Sequence, residues 1–178
     1  MKKIVLTYGL ISGAIAALLM FATIRFVGRL SYEYLTILGY TIFVVSFLMV
    51  FFGIRAYRDN VAGGTITFGK GFKVGLLITL ISCAIYIVCW EIISKYFLPG
   101  FFAQYLAYTI EQLRAAGAPP EEITLQMQEN EKFLGWYQNP LMRFVFSFME
   151  AFPVGLLITL ISAAILRRKA KIGEARSA

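Results

Sequence analysis

The sequence predicts an all-α integral membrane protein: a four-helix bundle with an extracytoplasmic amphipathic helical hairpin between spans 3 and 4. Three observations predict it. The 178 residues are 59% hydrophobic, above the roughly 45–50% apolar content of ordinary soluble domains, and the mean hydropathy is +0.72. Four apolar segments, at about 4–24, 35–54, 74–97 and 141–166, are each long enough to cross a hydrocarbon core about 30 Å thick at about 1.5 Å per residue. Basic residues bracket these segments unevenly. With both termini inside, eleven lie on the cytoplasmic side (Lys2, Lys3, Arg55, Arg58, Lys70, Lys73, Arg167, Arg168, Lys169, Lys171, Arg176) and six on the other (Arg25, Arg29, Lys95, Arg114, Lys132, Arg143). The positive-inside rule then selects four spans with both ends cytoplasmic, Arg25 and Arg29 being the one local dissent. The net charge of +7 is read as orientation in a membrane, with no nucleic-acid partner.

The first segment follows Met1, Lys2 and Lys3 and could be taken for a signal peptide, with Ala14 and Ala16 resembling a cleavage site. Its apolar run continues to full membrane width, which predicts an uncleaved span. Gly9, Gly13 and Ala17 put a small residue at every fourth place, the spacing that lets helix backbones approach closely in lipid. The second segment carries no charge and follows Tyr32 and Tyr34, which suit a membrane interface.

The third and fourth segments share a repeat: residues 74–85, VGLLITLISCAI, recur at 154–165 as VGLLITLISAAI. Small or hydroxyl residues again fall at every fourth position, Gly71, Gly75, Thr79 and Cys83 in one copy and Ala151, Gly155, Thr159 and Ala163 in the other. Gly9, Gly13, Gly71, Gly75, Thr79, Gly155 and Thr159 are therefore predicted packing positions. Spans 3 and 4 must run in opposite directions, so the two copies would meet antiparallel if they touch.

Between them, residues 98–140 change character, with Glu111, Glu121, Glu122, Glu129 and Glu131 in this interval. Residues 101–116 read as a helix stopped by Gly117 and Pro119. Pro120, with Glu121 and Glu122 behind it, begins a second helix: proline needs no donor there, and carboxylates favour the positive end of the helix dipole. Asn139 and Pro140 form the turn before the last span. The hairpin could lie on the outer leaflet, cover the bundle or dock a partner. Residues 1–169 form one membrane domain, and 170–178 a cytoplasmic tail.

Histidine is absent, which removes the commonest general base and metal ligand. Cys83 and Cys89 project from different faces of one apolar helix and make neither a disulfide nor a CxxC site. No nucleophile–base set, paired catalytic carboxylates or metal-ligand cluster stands out, so the expectation is a non-enzymatic protein without metal or cofactor.

Two constellations remain. Gly64 to Lys70 has the spacing of a phosphate-binding P-loop, but Gly71 stands where the metal-binding hydroxyl belongs and no strand precedes it. A looser anion or lipid head-group loop is conceivable from Gly63, Gly64, Gly69, Lys70 and Lys73, with Arg55 and Arg58 nearby. Glu91 and Glu150 are the carboxylates within apolar segments, costly enough to be functional candidates. Counted from Lys73 and Arg167, they fall at nearly the same height. Lys95, one turn beyond Glu91, offers it an i, i+4 partner. Glu150, with Glu91 and Arg25, is the candidate polar site, opening outward to a cation, a proton or a head group; the plainer alternative is an ion pair or hydrogen bond fixing helix register.

The motifs at residues 52–59 (FGIRAYRD), 64–73 (GTITFGKGFK), 137–140 (YQNP), 150–158 (EAFPVGLLI) and 167–169 (RRK) resemble the bacterial integral membrane proteins grouped as domain of unknown function 4199. The resemblance covers nearly the whole chain. It implies a four-span protein of the bacterial inner membrane and brings no activity, cofactor or catalytic residue with it. The expected role is a scaffold or accessory subunit, with membrane lipids and another membrane protein or a second copy as partners; the alternative is a small transporter or lipid-handling protein with a polar pocket near Glu150.

Overall fold

The computed structural model describes residues 1–168. They form six helices: α1 (Lys2–Ile24), α2 (Tyr32–Asn60), α3 (Phe68–Tyr96), α4 (Phe101–Ala115), α5 (Pro120–Tyr137) and α6 (Pro140–Leu166). Four of them, α1, α2, α3 and α6, are long and apolar enough to cross a membrane. Lys169, Lys171, Arg176 and the predicted tail 170–178 lie outside the described residues.

The spans alternate in direction. Ser12 of α1 donates to the Ser46 carbonyl of α2 at 2.8 Å, and Tyr8 packs beside Gly53, so α1 and α2 are antiparallel. Gly9 faces Ile81 and Gly13 faces Ile85, so α1 and α3 run parallel, in contact along a long seam. The repeat segments do touch. Going up α3 and down α6, the partners are Gly71 and Ala163, Gly75 and Thr159, then Thr79 and Gly155. One antiparallel register continues beyond the repeats at both ends, from the backbone pair Ile66 and Arg168 (3.1 and 2.9 Å) to the ion pair of Glu91 and Arg143 (2.9 Å).

Within that register the copies meet reciprocally: a methyl group at Gly75 would lie 2.8 Å from the Thr159 methyl, and one at Gly155 would lie 2.5 Å from the Thr79 methyl. Position two of each copy packs on position six of the other, as at a self-complementary interface folded into one chain. The Thr79 and Thr159 hydroxyls are 2.9 Å apart and hydrogen-bonded. Val50 and Ile54 of α2 close over this seam, and Thr79, Thr159, Ile78 and Val74 are fully buried with them.

Helices extend beyond the apolar segments that define them. α2 runs to Asn60, and α3 starts at Phe68 instead of near 74, because Thr67 caps its first turn through the Lys70 amide at 3.4 Å. Arg55, Arg58, Lys70 and Lys73 therefore stand on helical turns at the end shared with Lys2 and Arg168. The predicted start of α5 at Pro120 and the Asn139 turn are both present; the Asn139 carboxamide accepts the Leu141 amide at 2.9 Å.

At the opposite end α4 and α5 pack on each other, with the carboxamide of buried Asn130 donating to the Leu106 carbonyl at 3.3 Å. Aromatic rings tie the pair to the bundle. Tyr32 packs edge-on against Phe101 and Tyr105, Trp90 against Phe101 and Phe102, and Phe102 lies against Tyr137 at 4.5 Å between centroids.

Candidate functional site

Small residues draw α3 and α6 together at the loop end of the bundle; toward the α4–α5 end large side chains stand beside that seam. Tyr86 on α3 meets Glu150 on α6 and Glu91 meets Arg143, while Cys83, Ala151 and Ser147 keep the seam between the two helices small and buried. Beside this stretch lies a cavity of about 330 Å³. Its walls come from all four spans: Met20, Thr23 and Ile24 of α1; Thr36, Gly39, Tyr40 and Phe43 of α2; Tyr86, Trp90 and Ile93 of α3; and Glu150 of α6. Phe101, Phe102 and Tyr105 of α4 line it from above.

Glu150 is accessible and carries the one carboxylate in this lining, which contains no lysine or arginine. The Tyr86 hydroxyl donates to its Oε2 at 3.0 Å, and Tyr86 is itself held edge-on by Phe43 at 4.8 Å. Tyr86 is thus both wall and positioning group for the carboxylate. Pro153, inside α6, removes a donor from the turn that carries Glu150 and frees the Met149 carbonyl. The threonines in the lining turn their hydroxyls onto their own helices, Thr23 to the Met20 carbonyl and Thr36 to that of Tyr32, so the surface they show is mainly methyl.

Glu91 does not belong to this site. Arg143 Nε donates to both of its oxygens, at 2.9 and 3.2 Å, while Arg143 Nη1 donates to the Tyr137 and Gln138 carbonyls at 3.3 Å. The guanidinium so joins α3, α6 and the end of α5. The i, i+4 partner Lys95 lies instead over the Tyr96 ring, 5.3 Å from its centroid. Nor are the two carboxylates level. Lys73 and Arg167 are not equivalent starting points, because Ile66 pairs with Arg168; Glu150 sits opposite Tyr86, five residues or about 8 Å along α3 from Glu91. Arg25 is exposed at the end of α1 and is absent from the cavity wall.

Tyr137, beside this junction, receives the Trp90 indole hydrogen at 2.9 Å, and burial pushes its phenol above the ordinary range. No motif announced Tyr86 or Trp90, and Tyr137 stood only as the first residue of the YQNP motif. The repeat could have located Arg143, since pairing its copies in antiparallel register brings it opposite Glu91; the same register sets Ala84 opposite Glu150 and leaves Tyr86 two residues further on.

The glycine-rich loop at the other end is built for its turn. Gly63 and Gly64 take the left-handed backbone, φ 64° and 82°, which a side chain would resist. Gly69 lies in the first turn of α3, with open space around it. The basic residues do not converge on one point: Arg58 bonds Asp59 at 2.7 and 3.2 Å, Arg55 approaches the same carboxylate at 3.7 Å, and Lys70 and Lys73 are exposed. The predicted packing positions Gly9, Gly13, Gly71, Gly75, Thr79, Gly155 and Thr159 all lie at helix contacts. Among the described residues no three His, Cys, Asp or Glu side chains gather as a metal site would require. The cavity offers one carboxylate, one phenol held to it and a wall of rings.

A family model, Protein of unknown function (DUF4199), matches residues 7–168. The chain belongs to the DUF4199 family. No curated protein and no solved structure matches it. The family match spans all six helices, the cavity and the glycine loop.

Proposed function

We propose that this protein is a non-enzymatic, lipid-handling or small-molecule-transporting protein of the bacterial inner membrane, with both termini cytoplasmic and the α4–α5 pair on the outer side. The cavity beneath α4 that reaches Glu150 carries this reading. A bundle that served only to brace a partner would gain by filling that volume, whereas a concave, mostly apolar space with few polar groups is what a small ligand needs. The charge bias supports the orientation, since Lys2, Lys3, Arg55, Arg58, Lys70, Lys73, Arg167 and Arg168 share one end.

The decisive experiment uses Gly39. It lines the cavity and has nothing within 4 Å of where a side chain would start, so Gly39→Leu fills the space without forcing the backbone. Native mass spectrometry of wild type extracted from its membrane is expected to show a bound small molecule that Gly39→Leu loses. Identical spectra would defeat the proposal. Orientation is tested separately. In a cysteine-free background, Glu121→Cys is expected to react with an impermeant maleimide in intact cells and Arg167→Cys only after permeabilisation; the reverse pattern would invert the protein.

The scaffold or accessory-subunit role draws on a different observation. α5 exposes Leu125 and Trp136 on one side beside its glutamates, an apolar strip suited to a leaflet surface or to another membrane protein. Crosslinking from Leu125 distinguishes these, lipid adducts alone counting against a protein partner.

A further inference from the structure

We infer that the cavity is selective for organic cations: small amphiphiles with an ammonium group, primary to quaternary, on an apolar body. The inference rests on the pocket proposed above and deepens it.

Charge comes first. Carboxylates within a membrane are usually paired, and the bundle holds a contrasting case one turn and a half away, where Glu91 takes both oxygens to Arg143. Glu150 has no such partner. Its recorded hydrogen bond uses Oε2 alone, from the neutral Tyr86 hydroxyl, and no lysine or arginine lines the cavity. The nearest guanidinium on α6, that of Arg143, is committed to Glu91 and two backbone carbonyls. Among the described residues, then, the Glu150 carboxylate lines an accessible space with no opposite charge at hand. A phosphate or carboxylate ligand would meet repulsion there, whereas an ammonium would supply the missing charge.

The walls point the same way. Tyr32, Tyr40, Phe43, Trp90, Phe101 and Tyr105 surround the space, and the faces of such rings attract cations, more strongly when water is excluded. An apolar ligand needs no carboxylate and an inorganic cation needs more oxygen ligands than one carboxylate and one phenol provide. Rings and a single unpaired carboxylate together suit an organic ammonium ion. A volume of about 330 Å³ is at the small end of ligand pockets, which favours one head group with a short apolar body over a two-chain lipid.

The test uses two probes of the same shape, benzyltrimethylammonium and its uncharged isostere neopentylbenzene, with protein purified in a non-ionic detergent and free concentrations corrected for micelle partition. Binding is followed by Trp90 emission after Trp136→Phe, which leaves one of the chain's two tryptophans. Wild type is expected to prefer the cation on the order of tenfold. Glu150→Gln, which preserves volume and can still accept the Tyr86 hydrogen, is expected to bring the two probes within about twofold while retaining neopentylbenzene. Gly39→Leu is expected to lose both. Equal binding of the probes by wild type overturns the cation inference and leaves the pocket standing, as does a preference that survives Glu150→Gln. Binding of neither probe, or binding unaffected by Gly39→Leu, overturns the pocket as well.

Discussion

The same two helices, α3 and α6, share a close-packed seam and also contribute to the wall of an open cavity. Near the loop end, Gly75, Thr79, Gly155 and Thr159 bring the backbones together and nothing larger than a threonine stands between them. Near the α4–α5 end Tyr86 and Glu150 lie beside that seam and turn to a cavity walled mainly by α1, α2, α3 and α4. The contrast shows how a lipid-dissolved bundle can locate a site without altering its topology. Without water exclusion to pull helices together, their separation follows the size of the residues at the seam, and large residues one position off that seam remain free to line a space.

The largest effect is expected from imposing leucine on the tight half. At Gly155 even a methyl would approach the Thr79 methyl at 2.5 Å and the Phe47 ring at 2.9 Å, so Gly155→Leu should cost about 3 kcal/mol through overpacking, read as a lower melting midpoint in detergent. Next is the clasp beside the cavity. Both side chains of the Arg143–Glu91 pair are partly exposed, 25% and 36%, and solvent screens them, so Arg143→Ala should cost about 1 kcal/mol. Its effect should be local, with faster amide exchange in residues 133–139; Lys95→Ala, the control, should leave those amides unchanged.

A smaller change tests the seam's polar contact. Thr79→Val should cost about 0.6 kcal/mol, the mean for hydrogen bonds between membrane helices, and Thr79→Val with Thr159→Val should cost less than the two single changes combined, because they share one bond. The smallest effect is expected from the same leucine placed in the open half. Gly39→Leu should be neutral or stabilise by up to about 0.8 kcal/mol through helix propensity. Equal damage at Gly39 and Gly155 would mean that the two halves are packed alike.

Much of this fold can be read from local chemistry. Apolar length marks four spans, Pro120 with its glutamates begins α5, and Asn139 before Pro140 starts α6. The packing glycines follow from spacing alone. The site was less legible, because it depends on which residues face each other across 50 or more positions of chain. Glu91 has an adequate neighbour in Lys95, yet Arg143 takes it, a guanidinium being able to grip both oxygens and the α5 carbonyls at once. Measuring heights from the basic flanks also failed, since the charges at helix ends follow helix lengths that Thr67 and its cap extended. The rings of Tyr86, Trp90 and Phe101 carry no periodic signature that separates a cavity wall from ordinary lipid contact.

Ile66 is latched to Arg168 at one end of α3 and α6, and Glu91 to Arg143 at the other. A pair fastened at both extremities cannot slide, and it serves the molecule as a keel. Any breathing that admits a guest would then fall to the pieces moored by rings and single hydrogen bonds, α4 above all, which the left-handed Gly100 (φ 75°) joins to α3.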